Sequence, residues 1–184
     1  VARDREHLLE QLAAIAGGAT PAGVVTGRPA DKAPRPVFVY SGQGTQWWAM
    51  GREFLASDPV FRAVIERCDA LFSKLGDWSL IEELTRDEPT SRLHVTAISQ
   101  PAIFAIQAAL TELWASWGIR PVASVGHSVG EVAAAWAGGI LTLEDAARVI
   151  FHRGRCMESA PARGRMLAAA VTDDEARRLI APHG

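Results

Sequence analysis

Residues 126–130 read Gly-His-Ser-Val-Gly, a G-x-S-x-G pattern that sets a serine between two glycines. At the end of a strand and ahead of a helix, this spacing makes a sharp turn, and residues without a Cβ let the helix approach closely. Ser128 Oγ would then stand clear of the sheet as a nucleophile. The N–H of Val129 and the helix N-terminus would point at an oxyanion formed beside it. Five residues alone also fit an ordinary glycine-rich loop, so the flanking elements decide what the pattern means. A second glycine-flanked turn, Ser41-Gly42-Gln43-Gly44-Thr45-Gln46, follows another short apolar run. It is either a source for a second oxyanion donor, the Gln43 N–H, or a plain structural turn. It satisfies neither G-x-G-x-x-G nor G-x-x-x-x-G-K-[ST], which sets a phosphate-binding loop aside.

Arg153 and Arg155 fall late in a helical stretch. There a cation can simply complement the helix dipole, or, if it faces a pocket, grip a carboxylate with two parallel hydrogen bonds. An activated serine also needs a base. Of the five histidines, His7 and His94 have unpromising contexts and His127 adjoins Ser128, so its ring should point away from Oγ. His152 lies mid-helix and His183 is next to last, which leaves the serine without a convincing base among these residues.

The elements that must hold these groups alternate between strand and helix. Apolar spacing predicts a helix over residues 4–16, stopped by Gly17 and Gly18. A proline-rich linker follows to Pro36, with room for one short strand in Gly-Val-Val-Thr-Gly at 23–27. Residues 36–40 and 121–125 read as short buried strands, each running into one of the two glycine turns. Helices are expected from Ser57 or Asp58 to Gly76, from Ser99-Gln100-Pro101 to Gly118, over Glu131–Ala137, and from the cap Thr142 onward. The tail from Met166 reads as a strand and then a helix starting at Thr172 or Asp173. Such alternation argues for an α/β protein with a parallel sheet.

Composition narrows the function classes. With 19 basic against 21 acidic side chains and no basic cluster, the chain has no footprint for nucleic acid. At 48% apolar and 22% charged it has what a packed core needs. The two cysteines, Cys68 and Cys156, lie far apart without metal-ligand spacing and read as reduced, and no metal site is expected. The longest uncharged stretches are too mixed to span a membrane, so a cytoplasmic protein is the default expectation.

Four segments occur in a telling order: GQGTQ at 42–46, SQPAIFAIQ at 99–107, GHSVGE at 126–131 and HRGR at 152–155. Together they resemble the acyltransferase domain of type I polyketide synthases and the related malonyl-CoA:acyl carrier protein transacylases. The resemblance begins near Pro36, and residues 1–35 look like the linker that joins a preceding ketosynthase domain to the acyltransferase. It implies a hydrolase-like parallel-sheet core over 36–165 and the start of a small ferredoxin-like α+β subdomain over 166–184, with the domain incomplete at Gly184. It makes Ser128 the acyl-accepting nucleophile, Gln43 and Val129 the oxyanion-hole donors, and Arg153 the partner of the extender's free carboxylate. Gln100 and His127 would lie at the pocket.

The implied substrates are malonyl-CoA or a related dicarboxylic acyl-CoA and the phosphopantetheine thiol of an acyl carrier protein, with no cofactor held by the domain itself. The implied partners are that carrier and the adjacent ketosynthase domain. Val129 and Thr96, standing where methyl-branched extenders tend to accompany Gln and Asp, resemble malonyl-specific domains. The family's catalytic His and its fuller specificity signature would lie beyond Gly184, so the 184-residue chain alone is expected to show little or no activity. Two other readings use the same residues: a serine hydrolase such as a thioesterase or patatin-like lipase, which needs neither Arg153 nor the GQG turn, and an inert structural piece of a megasynthase.

Overall fold

A computed structural model describes residues 2–28, 35–160 and 170–183. The chain divides into two compact units, Val1–Arg35 and Pro36–Gly184. In the first, helix α1 spans Arg5–Ala16; the Asp4 side chain accepts the His7 N–H at 2.8 Å, and Gly17 and Gly18 end it as expected. The strand expected within 23–27 is absent. Those residues have no partner strand among the described residues, Val25 is 97% exposed, and a backbone without a ladder is left to solvent.

The second unit is α/β. Strand β1 (Val37–Tyr40) pairs in parallel with β2 (Ala123–Gly126), Val37 opposite Ala123 and Tyr40 opposite Gly126. Between them come α2 (Arg52–Ser57), α3 (Pro59–Phe72), α4 (Leu80–Thr85) and α5 (Thr96–Ser116). After β2 come α6 (Gly130–Ala137), α7 (Leu143–Ser159) and α8 (Asp173–Ile180). The strand expected from Met166 falls mostly on 161–169, outside the described residues, while α8 starts where expected, capped by a reciprocal Thr172–Glu175 pair.

Helix α5 is the hub, packing on α3, α4, α6 and α7. Its Ala102, Phe104, Ala105, Ala108 and Ala109 are fully buried, joined in the core by Phe61 and Phe72 of α3 and Phe151 of α7. Small residues along α5 let neighbouring backbones come close, and the phenylalanines fill what remains. Phe38 and Tyr40 turn the inner face of the sheet to this core, where the Tyr40 hydroxyl pairs with Thr111 Oγ1 at 2.9 Å. Burial pushes the Tyr40 phenol above its ordinary range, the bond to Thr111 acting in the opposite sense.

Two helix boundaries differ from the sequence expectation. Helix α3 ends at Phe72 and the chain reaches Gly76 through turns closed by Ser73 N–H to Asp69 O and Gly76 N–H to Phe72 O. Helix α5 starts one turn before Ser99, so that Pro101 lies inside it. Its N-cap, Val95, has no side-chain acceptor to offer. The Thr96 N–H instead donates to Glu158 Oε2 of α7 at 2.6 Å, an acceptor 62 residues away that no local pattern announces. Pro101 has no N–H to give the Ala97 carbonyl, and α7 passes that spot at Gly154, where an added Cβ would lie 3.1 Å from Thr96 O and 3.5 Å from Ala97 O.

Candidate active site

Strand β2 delivers the chain to the G-x-S-x-G turn and α6 carries it away, so the serine stands between strand and helix. Ser128 has φ +54°, the one non-glycine residue in the left-handed region among the described residues. A backbone strained in this way is a feature of nucleophile elbows, and the surrounding structure must hold it. Both flanking glycines are needed for close approach. A Cβ on Gly126 would run into the backbone of Gly130 and Glu131, and one on Gly130 would overlap the carbonyl groups of Tyr40 and Ser41, 2.8 Å from the Ser41 oxygen. The elbow is thus pressed between α6 and the end of β1. The His127 N–H extends the parallel ladder to Tyr40 O at 3.0 Å.

The hydroxyl and the amide of Ser128 have different partners. Arg153 Nη2 donates to Ser128 Oγ at 3.1 Å, while Glu131 accepts the Ser128 N–H at 3.2 Å. Ser128-Val129-Gly130-Glu131 spells S-x-x-E, the spacing of a capping box, but only the carboxylate contact is made, since Ser128 stands one residue ahead of the cap at Val129 and its hydroxyl accepts from Arg153. Glu131 escaped the residue-by-residue reading, although this spacing announces it.

Arg153 in turn donates through Nη1 to Gln100 Oε1 at 2.6 Å, so its fork spans the serine and a carboxamide that is 1% exposed. Because α7 continues to Ser159, Arg153 and Arg155 lie outside its last turn, and the dipole explanation for either does not hold. Arg155 is exposed, its guanidinium 5.8 Å from the centre of the Phe151 ring, and so stays apart from the cluster.

Gln100 Nε2 donates to Gln43 Oε1 and to Met157 Sδ, each at 3.1 Å, and Gln43 Nε2 reaches Thr96 Oγ1 at 3.5 Å. The GQG turn is itself held: Gln107 Nε2 donates to Ser41 O at 2.9 Å and the Gly44 N–H to Gln46 Oε1 at 2.7 Å. Neither the Gln43 N–H nor the Val129 N–H has an acceptor among the described residues. His127 is exposed and packs against the same turn, its Nδ1 lying 2.7 Å from where a Cβ on Gly42 would be.

Ser128, Arg153, Gln100 and Gln43 therefore form one hydrogen-bonded cluster, with Val129 and His127 adjoining it on the elbow. Met157 and Glu131 are additions that sequence reasoning missed. No histidine ring bonds to Ser128 Oγ among the described residues. Cavities of about 330 and 270 Å³ flank Gln107 on α5 and share Ser41 at the start of the GQG turn, and Ser128 is half-buried. Chemically, the cluster joins a strained, projecting hydroxyl to a fixed cation and two uncommitted backbone donors. No group of three or more His, Cys, Asp or Glu suited to a metal ion occurs among the described residues, and no helix among them is long and apolar enough to cross a membrane.

Residues 37–183 match the family model described as "Acyl transferase domain". Polyketide synthase GfsE of Streptomyces halstedii is 42% identical over 99% of this chain, and erythronolide synthase EryA2 of Saccharopolyspora erythraea is 40% identical over 99%. The chain spans 5% of the length of each of these two relatives. Among solved structures, the acyltransferase domain from the second module of the salinomycin polyketide synthase superimposes with a TM-score of 0.82 at 38% identity, covering 97% of this chain and 42% of that one. The malonyl-CoA:ACP transacylase of Synechocystis sp. PCC 6803 superimposes at 0.61 with 28% identity, over 69% of this chain and 41% of its own.

Proposed function

From the premise that the chain belongs to the acyltransferase domain family of polyketide synthases and their transacylase relatives, we propose that it is the first part of a domain that loads a malonyl-type extender from coenzyme A onto the phosphopantetheine thiol of an acyl carrier protein. Residues 1–35 serve as the linker from a ketosynthase domain, 36–165 as the first part of the α/β core, and 166–184 as the entry into a small ferredoxin-like subdomain. The partners are the carrier protein and that ketosynthase, and the setting is the cytoplasm.

Ser128 Oγ attacks the thioester carbonyl of malonyl-CoA, its proton passing to a histidine base contributed by chain beyond Gly184. The N–H groups of Gln43 and Val129 receive the developing oxyanion. Collapse of the tetrahedral adduct breaks the carbon–sulfur bond, coenzyme A leaves with the proton, and malonyl remains as a seryl ester. The carrier's thiol then attacks this ester, the same base acting in reverse, and Ser128 regains its proton. Arg153 binds the malonyl carboxylate through its two parallel N–H groups, and Gln100 holds the guanidinium in place. His127 buttresses the GQG turn at the pocket edge. A monocarboxylic acyl group leaves the cation unmatched, which disfavours it.

One observation carries this reading: Arg153 Nη2 lies 3.1 Å from Ser128 Oγ, so a cation stands within reach of whatever the serine carries. A hydrolase for simple acyl groups has no use for it. Intact-mass analysis of the complete domain with malonyl-CoA tests the reading. The wild type gains one malonyl group, Ser128→Ala gains none, and Arg153→Ala loses the preference for malonyl over acetyl by on the order of 100-fold, the scale for leaving a buried charge unpaired. Malonylation of Ser128→Ala, or an unchanged preference in Arg153→Ala, overturns it. The 184-residue chain alone gains no malonyl group because its base is missing.

A further inference from the structure

The contacts around Arg153 close into a circuit. From α7, Arg153 donates to Gln100 of α5; Gln100 donates to Gln43 of the GQG turn; Gln43 donates to Thr96, back on α5; and the Thr96 N–H donates to Glu158, back on α7. Glu158 lies five residues beyond Arg153 on the same helix. Of these bonds, the one to Glu158 joins the start of α5 to the end of α7, at 2.6 Å. It supplies the acceptor that Val95 cannot, because Val95 makes no side-chain cap.

We propose that Glu158 is a positioning residue for the carboxylate clamp. It touches neither the serine nor the place where an acyl group would lie. By accepting the Thr96 N–H it fixes the register of α5 against α7 and thereby sets Gln100 Oε1 opposite Arg153 Nη1. Two features make register matter here. Gly154 lets the helices approach until Thr96 O is 3.1 Å from where a Cβ would be, so a slide of α7 has no side chain to resist it. Pro101 has no N–H for the Ala97 carbonyl, which weakens the hold of the rest of α5 on its first turn and gives an outside anchor there more weight. This inference rests on Arg153 reading the malonyl carboxylate, as set out above.

The test is the ratio of kcat/KM for malonyl-CoA to that for acetyl-CoA in the complete domain, with Tm recorded alongside. Glu158→Ala lowers the ratio by roughly fivefold, the size of one lost helix cap, chiefly through a higher KM for malonyl-CoA. Glu158→Gln keeps the ratio within about twofold of wild type, since its amide oxygen still accepts the Thr96 N–H. Thr96→Pro deletes the same bond from the donor side, at the first helical position, where proline is well tolerated, and also removes the Oγ1 that accepts from Gln43, so it lowers the ratio at least as far as Glu158→Ala does. In an Arg153→Ala background, Glu158→Ala changes the ratio no further. The proposal is overturned if Glu158→Ala lowers Tm yet leaves the ratio intact, or if Glu158→Gln behaves as Glu158→Ala does. Arg153→Ala alone separates the two layers: if it leaves the ratio unchanged, the clamp reading itself fails, whereas if it collapses the ratio and Glu158→Ala does not, only the role of Glu158 falls.

Discussion

Single residues of this unit differ sharply in what their surroundings allow. Cys68 is fully buried on α3, and burial pushes its thiol from an ordinary 9.0 up to about 12. The folded thiol therefore stays protonated where the unfolded one ionises. Its contribution to stability is intact below about pH 8.5 and is lost as pH rises toward 12, because the unfolded state then binds fewer protons. Urea unfolding at about pH 8 and about pH 10 checks this: the wild type loses about 1–2 kcal/mol more across that interval than Cys68→Ala does. Equal losses refute the assignment. Exposed Cys156 reacts with thiol reagents in the native state, and Cys68 waits for unfolding. At this scale much of the site was legible, because Gly126, Ser128 and Gly130 announce their geometry by type and spacing. The pairing of Arg153 with Gln100, 53 residues apart, and of Gln100 with Gln43, 57 apart, was not, because nothing local encodes which carboxamide meets which cation.

Among the elements, helices with strong local signals fell close to expectation: Asp58 caps α3 and Thr142 caps α7 through the Phe61 and Asp145 N–H groups. Helices α2 and α4 went unread because six residues are too few for a 3.6-residue period to register. The start of α5 was placed late because Pro101 looks like a beginning and the true anchor comes from another helix. The close passage of α7 over α5 depends on Gly154 having no side chain. Gly154→Leu forces the two apart and costs about 1–3 kcal/mol by overpacking, read from the urea midpoint. A midpoint at or above the wild type's would mean that the helices have slack at this crossing.

For the second unit as a whole, the telling feature is the unequal treatment of the two sheet faces. Phe38 and Tyr40 are packed on the helices, whereas Val37, Val39 and Val125 are 51%, 75% and 54% exposed. Parallel sheets are ordinarily covered on both sides, so an open aliphatic face invites association. Val39→Lys reduces self-association of the 184-residue chain in sedimentation experiments and leaves its helical circular dichroism unchanged. Self-association equal to that of the wild type would show that this face is not the sticky one. The sequence could mark β1 as apolar at every position and β2 at all but Ser124, but not which face would find a cover among the described residues. The left-handed backbone of Ser128 has a last consequence, for how such a molecule ages in evolution. The residue that strains the chain is the one to which the proposed chemistry falls, and glycine would sit there at ease. A lineage kept only for its fold would therefore gain sturdiness by trading the serine for glycine and lose the hydroxyl with it, stability and the proposed turnover pulling this one position in opposite directions.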